Sequence, residues 1–355
     1  MGEGDPLVSD MRLSICIPTY NFGAFIGETL QSIVAQLQDG VEVVVLDGGS
    51  SDDTAEVVEA FAWDHPQIRY HRRPERGGID RDMARTVALA QGEYCWLFGA
   101  DDTMREGALA KMLARLEGGA ELLLCGVTYC SFEMEPLREG EVAQIPRDTR
   151  FDFSLREQRL DYFERASTTL AFFSFLGSIV FKRERWEEIG MEERFVGSLF
   201  AHVARLFAMI AQGATFDYLP DSYVFTRGEN DSFMDRGIVN RYAKVIDGYH
   251  DLAAAYFGAD SVEAAHVRRA VRTEFPLWLA LDLRRKVARE QSEDLAELRR
   301  IVHRAYGEPG SRYRLYREIY DHAPHSSFVA ARHSMRALRA ARASLSAHPA
   351  APSSP

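Results

Sequence analysis

From residue 13 to about residue 130 the chain alternates between two hydrophobic periods. Residues 13–20 (LSICIPTY) form a continuous apolar run of strand length. Residues 25–37 (FIGETLQSIVAQL) place Ile26, Leu30, Ile33, Val34 and Leu37 on one helical face. Residues 41–47 (VEVVVLD) return to a strand pattern, followed by turn and cap chemistry in GGSSDD and a helix from about Thr54. Residues 68–73 (IRYHRR) predict a short strand, 82–92 (DMARTVALAQG) a helix closed by Gly92, and 93–100 (EYCWLFGA) a strand. Residues 106–119 then read as a helix and 120–130 (AELLLCGVTYC) as another strand. Strands alternating with helices of this length predict an α/β fold: a mostly parallel central sheet flanked by helices. Such sheets bind ligands at the carboxyl ends of their strands.

The middle of the chain is less periodic. Residues 131–160 are mixed and charged and read as a loop-rich excursion. Residues 169–186 are apolar and aromatic, 198–213 (SLFAHVARLFAMIAQG) predict a helix with a glycine stop, and 214–233 read as strands and loop. From about Gly237 the pattern is helical. The last ten residues have the composition of a disordered tail. The divisions implied are a tail over 1–11, two halves of an α/β domain over 12–125 and 126–236, a helical extension over 237–345, and a tail over 346–355.

Composition adds limits. The 355 residues are 46% hydrophobic and 27% charged, which suits a globular protein with ample core. No apolar run approaches the roughly 18 residues of a membrane span. The start, MGEGDPLVSDMR, is acidic and polar and does not read as a secretory signal or a myristoylation site. Four cysteines form no CxxC and no zinc spacing, so they read as buried free thiols of a cytoplasmic protein. The net charge of −11 argues against nucleic-acid binding, while residues 264–345 are net basic. Within them, residues 326–345 (SSFVAARHSMRALRAARASL) pattern as a basic amphipathic helix. It suits either peripheral membrane contact or packing on this chain or a homodimer partner.

Candidate chemistry lies where strands stop: Pro18-Thr19-Tyr20-Asn21, Asp47-Gly48-Gly49-Ser50 and Asp101-Asp102. An Asp at a strand end can accept from a base or ribose hydroxyl. Two adjacent carboxylates can hold a divalent cation that bridges phosphates. An Asp in this place is also a common helix cap, the favoured reading for Asp52 and Asp53. The first turn has no GxGxxG, which argues against a dinucleotide fold.

The set SICIPTYN, VVVLDGGSSDDT and ALAQGEYCWLFGADD resembles, in order and spacing, three signatures of family-2 glycosyltransferases with the GT-A fold, over residues 12–235. LDGGS and GGIDRDM resemble the abequosyltransferase-like branch, which adds a dideoxyhexose in O-antigen assembly. The resemblance implies that 12–125 bind a nucleotide-sugar donor and 126–236 a saccharide or lipid-linked saccharide acceptor. Pro18, Thr19, Tyr20 and Asn21 would line the base site with Gly49, Asp47 would bind the base, and Asp101 would meet ribose or sugar. Asp102, with Asp101, would ligate Mg²⁺ or Mn²⁺ on the donor diphosphate. The branch favours a CDP-sugar over a UDP-sugar and a place at the inner face of the cell membrane.

The chain also departs from the family. Gly99 stands where many relatives carry the first Asp of DxDD, and Gly48 where many carry the second Asp of DDGS. Ser198-Leu199 stands where relatives carry a Glu-Asp pair that supplies the base. His202, read as one turn into that helix on the face of Ser198 and Arg205, is one replacement, since an imidazole suits base work near neutral pH. A core histidine is the plainer alternative. Asp80 and Asp82 are the others. Asp80 also reads as a helix cap, and Asp82 or Arg81 also suits donor sugar hydroxyls or phosphate. Arg227 matches a basic position over the diphosphate or is a surface charge, and Trp96 and Trp186 read as core. The leading function is glycosyl transfer. A non-catalytic nucleotide-sugar-binding or scaffold protein and a nucleotidyltransferase are the alternatives. Release of free nucleoside diphosphate, or of pyrophosphate, separates the three.

Overall fold

The computed structural model describes residues 11–230, 237–290 and 294–322. The basic segment 326–345, the tail 346–355 and most of the tail 1–11 lie outside the described residues. The first half follows the predicted alternation: β1 (Leu13–Thr19), α1 (Gly23–Val34), β2 (Val41–Asp47), α2 (Thr54–Asp64), β3 (Ile68–Arg72), α3 (Ile79–Leu89) and β4 (Tyr94–Leu97). A two-residue β5 (Thr103–Met104) precedes α4 (Ala108–Leu116) and β6 (Leu122–Cys130).

The expected loop-rich excursion instead carries β7 (Pro136–Glu139), β8 (Thr149–Asp152) and α5 (Arg156–Arg165). Next come two single 3₁₀ turns, β9 (Ile179–Lys182), α6 (Arg183–Ile189), α7 (Ala201–Ala211) and β10 (Thr215–Thr226). The expected strands and loop of 214–226 are thus one strand, bent by register shifts between Leu219 and Val224. Helices α8 (Gly237–Phe257), α9 (Val262–Glu274), α10 (Leu277–Arg289), α11 (Leu295–Ala305) and α12 (Ser311–His322) follow, the last of them closing the described residues.

The strands form one sheet in the order β3-β2-β1-β4-β9-β6-β10-β5, with β7 against β6 and β8 against β10. β3, β2, β1 and β4 are mutually parallel, as are β6 and β10; β9 runs antiparallel between β4 and β6. The register sets Thr19 beside Asp47 and Asp47 beside Arg72, so three strands end together. Alternation along the strands decides the layers. Leu13, Ile15, Ile17, Val41, Val43, Val45 and Trp96 join Ile26, Leu30 and Ile33 of α1, Val58 of α2 and Leu109, Met112 and Leu116 of α4 in one apolar core. Glu42 and Ser14, of opposite parity, meet the α3 side of the sheet.

A second, aromatic cluster explains the apolar run 169–186. Phe153, Tyr162 and Phe216 stack around one another, and Phe172, Phe207 and Phe257 continue the layer. Trp96 and Trp186 are core residues and all four cysteines are free and buried, as read.

The chain divides into two compact units: 1–236 with 247–274, and 237–246 with 275–355. In the second, the Tyr306 hydroxyl donates to the Phe275 carbonyl, and Asp321 accepts from Arg299 and His303. Among the described residues, no helix is long and apolar enough to cross a membrane.

Candidate active site

The loops after β1, β2 and β3 are tied into one surface at the carboxyl edge of the sheet. Asn21, in the left-handed region at φ 58°, donates its amide to Ser50 Oγ (2.8 Å) and accepts from the Ser51 amide (2.8 Å). The Gly48 amide donates to the Thr19 carbonyl at 2.8 Å. Asp52 accepts from the Gly23 and Thr54 amides at the starts of α1 and α2, which bears out its reading as a cap.

Asp47 is fully buried. Its Oδ1 accepts from the amides of Gly49 (3.0 Å) and Ser50 (2.7 Å) and from the Ser50 hydroxyl (2.6 Å). Its Oδ2 accepts from the Tyr70 hydroxyl at 2.8 Å, with Arg72 Nε 3.6 Å away. The carboxylate is therefore consumed in shaping the β2 turn and fixing Tyr70. Thr19 Oγ1, also buried, has no partner among the described residues.

The loop between β3 and α3 closes over this surface. Its Arg73 carbonyl lies 3.3 Å from where a Cβ on Gly49 would sit, and Gly49 has a φ of +87°. Arg73 Nη1 pairs with Asp82 Oδ1 at 2.8 Å. Arg76 lays its guanidinium over the Tyr20 ring, 4.2 Å from the centroid. Burial raises the Asp82 carboxyl above its usual range, and Arg73 and Arg76 offset part of that cost. A Cβ on Gly48 would fall 2.8 Å from Asp82 Oδ2, and one on Gly77 would fall 2.4 Å from Oδ1. The Asp absent at position 48 thus leaves room for a carboxylate delivered by α3.

Asp101 and Asp102 follow β4. A Cβ on Gly99 would lie 2.2 Å from Asp102 Oδ2 and 3.3 Å from Asp101 Oδ1, so both carboxylates converge over this glycine. Asp102 is buried, and its Oδ1 accepts the Arg227 amide at 3.1 Å. Burial, reinforced by the charge of Asp101, pushes Asp102 up to about 8 against the opposing bonds from Arg227 and Thr226. Asp101 Oδ2 accepts from Asn230 at 2.8 Å.

These groups fit a divalent cation: two hard carboxylates on one cradle, repelling each other when no cation is present. Among the described residues no three His, Cys, Asp or Glu side chains gather as ligands.

Arg227 is not a surface charge. Its side chain is 5% exposed and donates to the Asp101 and Phe132 carbonyls and to Glu28, with Phe25 and Phe132 against its face. Every nitrogen of the guanidinium is engaged: Nε holds the Asp101 carbonyl, while Nη1 and Nη2 anchor the side chain to Phe132 and Glu28. Arg81 is likewise spent, in a two-bond pair with Glu193.

Asp80 and His202 form a second group, at α7. Asp80 does not cap its own helix; it accepts from the amides of Gly197, Leu199 and Ala201. α7 begins at Ala201, so His202 is its second residue, and Ser198 lies in the preceding turn rather than on its face. The left-handed Gly197 and Leu199 delay the helix by three residues relative to the periodic pattern. His202 is buried. Its Nε2 lies 3.0 Å from the Phe173 carbonyl, and Nδ1 has no partner among the described residues. Burial lowers its pKa, partly opposed by the charge of Asp80.

The sequence reading named the strand-end residues but missed Tyr70, Arg73, Arg76 and Asn230. The signal for three of them was the run RYHRRPERGG, with its arginines immediately before a glycine pair.

Comparison with known structures defines the class. Residues 1–349 of S. aureus TarS in complex with UDP-GlcNAc superpose with a TM-score of 0.60 at 16% identity, covering 86% of this chain and 84% of that one. The mannosyltransferase PcManGT of Pyrobaculum calidifontis, in complex with GDP-Man and Mn²⁺, gives 0.51 at 18% identity, covering 87% and 84%. The fold is that of GT-A-type glycosyltransferases. In sequence, abequosyltransferase RfbV of Salmonella typhimurium is 30% identical over 253 residues, 70% of this chain and 76% of that protein, and the pattern described as Glycosyl transferase family 2 matches residues 14–178. The chain belongs to glycosyl transferase family 2 and is a glycosyltransferase.

Proposed function

We propose that the protein moves a sugar, of the dideoxyhexose class, from a nucleoside diphosphate to a lipid-linked saccharide in bacterial surface polysaccharide assembly. A CDP-sugar is favoured over a UDP-sugar as donor. The observation that carries the reading is the convergence of Asp101 and Asp102 over Gly99 beside the tied loops of β1, β2 and β3. Support for the sugar class comes from the abequosyltransferase relative.

In this reading residues 12–125 hold the donor and 126–236 the acceptor. Pro18, Thr19, Tyr20, Asn21 and Gly49 line the base site, and Asp47 acts there through Tyr70 and the turn it shapes. Asp102 and Asp101 hold Mg²⁺ or Mn²⁺. When bound, the cation offsets the charge that grows on the departing diphosphate. Arg227 keeps the two carboxylates in place. The acceptor hydroxyl oxygen attacks the anomeric carbon as the glycosyl–phosphate bond breaks. Its proton goes to His202 Nδ1 and the bonding electrons leave with the nucleoside diphosphate. Asp82 stands at the donor side, paired with Arg73, where it accepts from sugar hydroxyls. The protein works at the cytoplasmic face of the membrane, with the segment 326–345 as its peripheral contact or homodimer face.

The test is release of free nucleoside diphosphate. CDP- and UDP-sugars are each incubated with Mn²⁺ and a lipid-linked acceptor pool, wild type against His202→Ala. Acceptor-dependent CDP release that drops about 10²–10⁴-fold in the variant supports the reading. No release from either donor would overturn the assignment of a pyrimidine nucleotide sugar as donor.

A further inference from the structure

We infer that Asp80 is a positioning residue for the transfer step: reaching from α3, its carboxylate sets the backbone turn into α7, binds the amide of Ala201 next to His202, and supports that imidazole when it takes a proton. The inference rests on the reading of His202 as proton acceptor.

The first amides of a helix have no partner within it, and a side chain just before the helix normally supplies one. Phe200 occupies that place before α7 and supplies none. Asp80, more than a hundred residues earlier, accepts from Gly197 at 2.7 Å and from Leu199 and Ala201 at 3.2 Å. Leu199 sits at φ 76°, a left-handed conformation that is costly for a leucine and persists only where surroundings enforce it. The amide bonds to Asp80 provide that enforcement.

A neutral Ser or Asn can cap a helix, so the use of a buried carboxylate calls for a reason. Asp80 is 4% exposed, and no Lys or Arg pairs with it among the described residues; the adjacent Arg81 is committed to Glu193. Its charge acts instead on His202, where it opposes the effect of burial. The imidazole is otherwise set by backbone. A carbonyl only accepts, so the bond to Phe173 requires Nε2 to carry the hydrogen and leaves Nδ1 with the lone pair. Phe173 is itself left-handed at φ 67°. Among the described residues, no other charged group acts on the ring. Arg205, on the same helix, lies over Trp186, and the Tyr249 hydroxyl is bound to the Phe172 carbonyl. Once Nδ1 takes a proton, Asp80 is the anion that stabilises the imidazolium.

The experiment compares Asp80→Asn, His202→Gln and the double variant in the full chain, reading kcat and KM against pH, with CDP binding in Mn²⁺ followed separately. In Asp80→Asn, kcat at neutral pH falls at least about tenfold, and CDP binding stays within about twofold. The acid limb of the rate profile moves to lower pH, because losing a nearby negative charge lowers an imidazole pKa. In the His202→Gln background the same change costs no further kcat. If His202→Gln is inactive while Asp80→Asn keeps the wild-type kcat and acid limb and loses only thermal stability, Asp80 is a structural cap and the inference is overturned. If His202→Gln itself keeps the acid limb, the proton-acceptor reading fails first and the inference with it. Should Asp80→Asn not fold, Asp80→Ser, which retains an acceptor for the amides without the charge, is read by the same outcomes.

Discussion

The two ends of the same strands use buried carboxylates in opposite ways. At the amino end, Glu42 of β2 accepts from Ser14 Oγ (2.6 Å), the Gln91 amide (2.6 Å) and Arg69 Nη1 (2.8 Å), and Arg69 also reaches the Leu89 carbonyl. Each bond joins β1, β2, β3 or the end of α3, so the group binds the sheet to its helix. At the carboxyl end, Asp101 and Asp102 converge over a glycine, Asp102 accepting the Arg227 amide and Asp101 the Asn230 side chain. A carboxylate matched by protein donors contributes stability; one held close to another carboxylate is costly until a cation arrives. The contrast sets a carboxylate bound up in sheet contacts against a pair brought close together at a strand end.

Breaking the carboxyl end should have the largest effect. Asp102→Asn is expected to lower transfer by about 10²–10³-fold and to abolish Mn²⁺-linked stabilisation by CDP, followed as nucleotide release and thermal shift. The same variant has a pH signature without metal. Asp102 in the folded chain is pushed up to about 8, above its unfolded value, so its contribution to stability is complete below about pH 4 and is lost as pH rises toward 8. Metal-free Asp102→Asn should therefore melt above wild type at pH 8 and converge with it near pH 4. A constant difference across that range would place the strain elsewhere.

Gly99→Ala sharpens the same point without touching a charge. Its Cβ would overlap Asp102 Oδ2, so a loss of about tenfold or more in activity is expected, with the fold retained by circular dichroism.

The contrast also guides what was readable in advance. The parallel half of the sheet was legible because each strand and helix carries its own period over enough residues. β9 was not: four residues whose partners, β4 and β6, lie far back in the chain have no local signature. The site divided in the same way. Pro18, Asp47 and Asp101-Asp102 could be found because strand ends are local features. That Asp80 reaches the α7 turn, that Asp82 fills the space over Gly48, and that Arg227 is buried against Phe25 and Phe132 are facts of tertiary packing. The start of α7 was misplaced for a related reason, since left-handed backbone at a leucine leaves no mark in a hydrophobic pattern.

Damage to the amino end should dissociate stability from chemistry. Glu42→Gln is expected to cost about 2 kcal/mol in unfolding free energy, because Arg69, only partly exposed, loses its counter-charge. Activity per folded molecule should stay unchanged, as read by urea unfolding alongside kcat/KM. A matching fall in activity would erase the distinction between the two ends.

The smallest effect belongs to the bond between them and the base site. Tyr70→Phe removes the hydroxyl that serves Asp47 Oδ2, and nucleotide affinity should weaken by about 1 kcal/mol, measured by calorimetric titration.

The central claim is that a nucleoside diphosphate and a divalent cation meet at Asp101-Asp102. Calorimetric titration of CDP into the wild type and into Asp102→Asn, each with and without Mn²⁺, tests it most directly. The account predicts that Mn²⁺ tightens CDP binding to the wild type by at least about tenfold, or 1.4 kcal/mol, and leaves the variant unaffected. Equal Mn²⁺ enhancement in both proteins would contradict it.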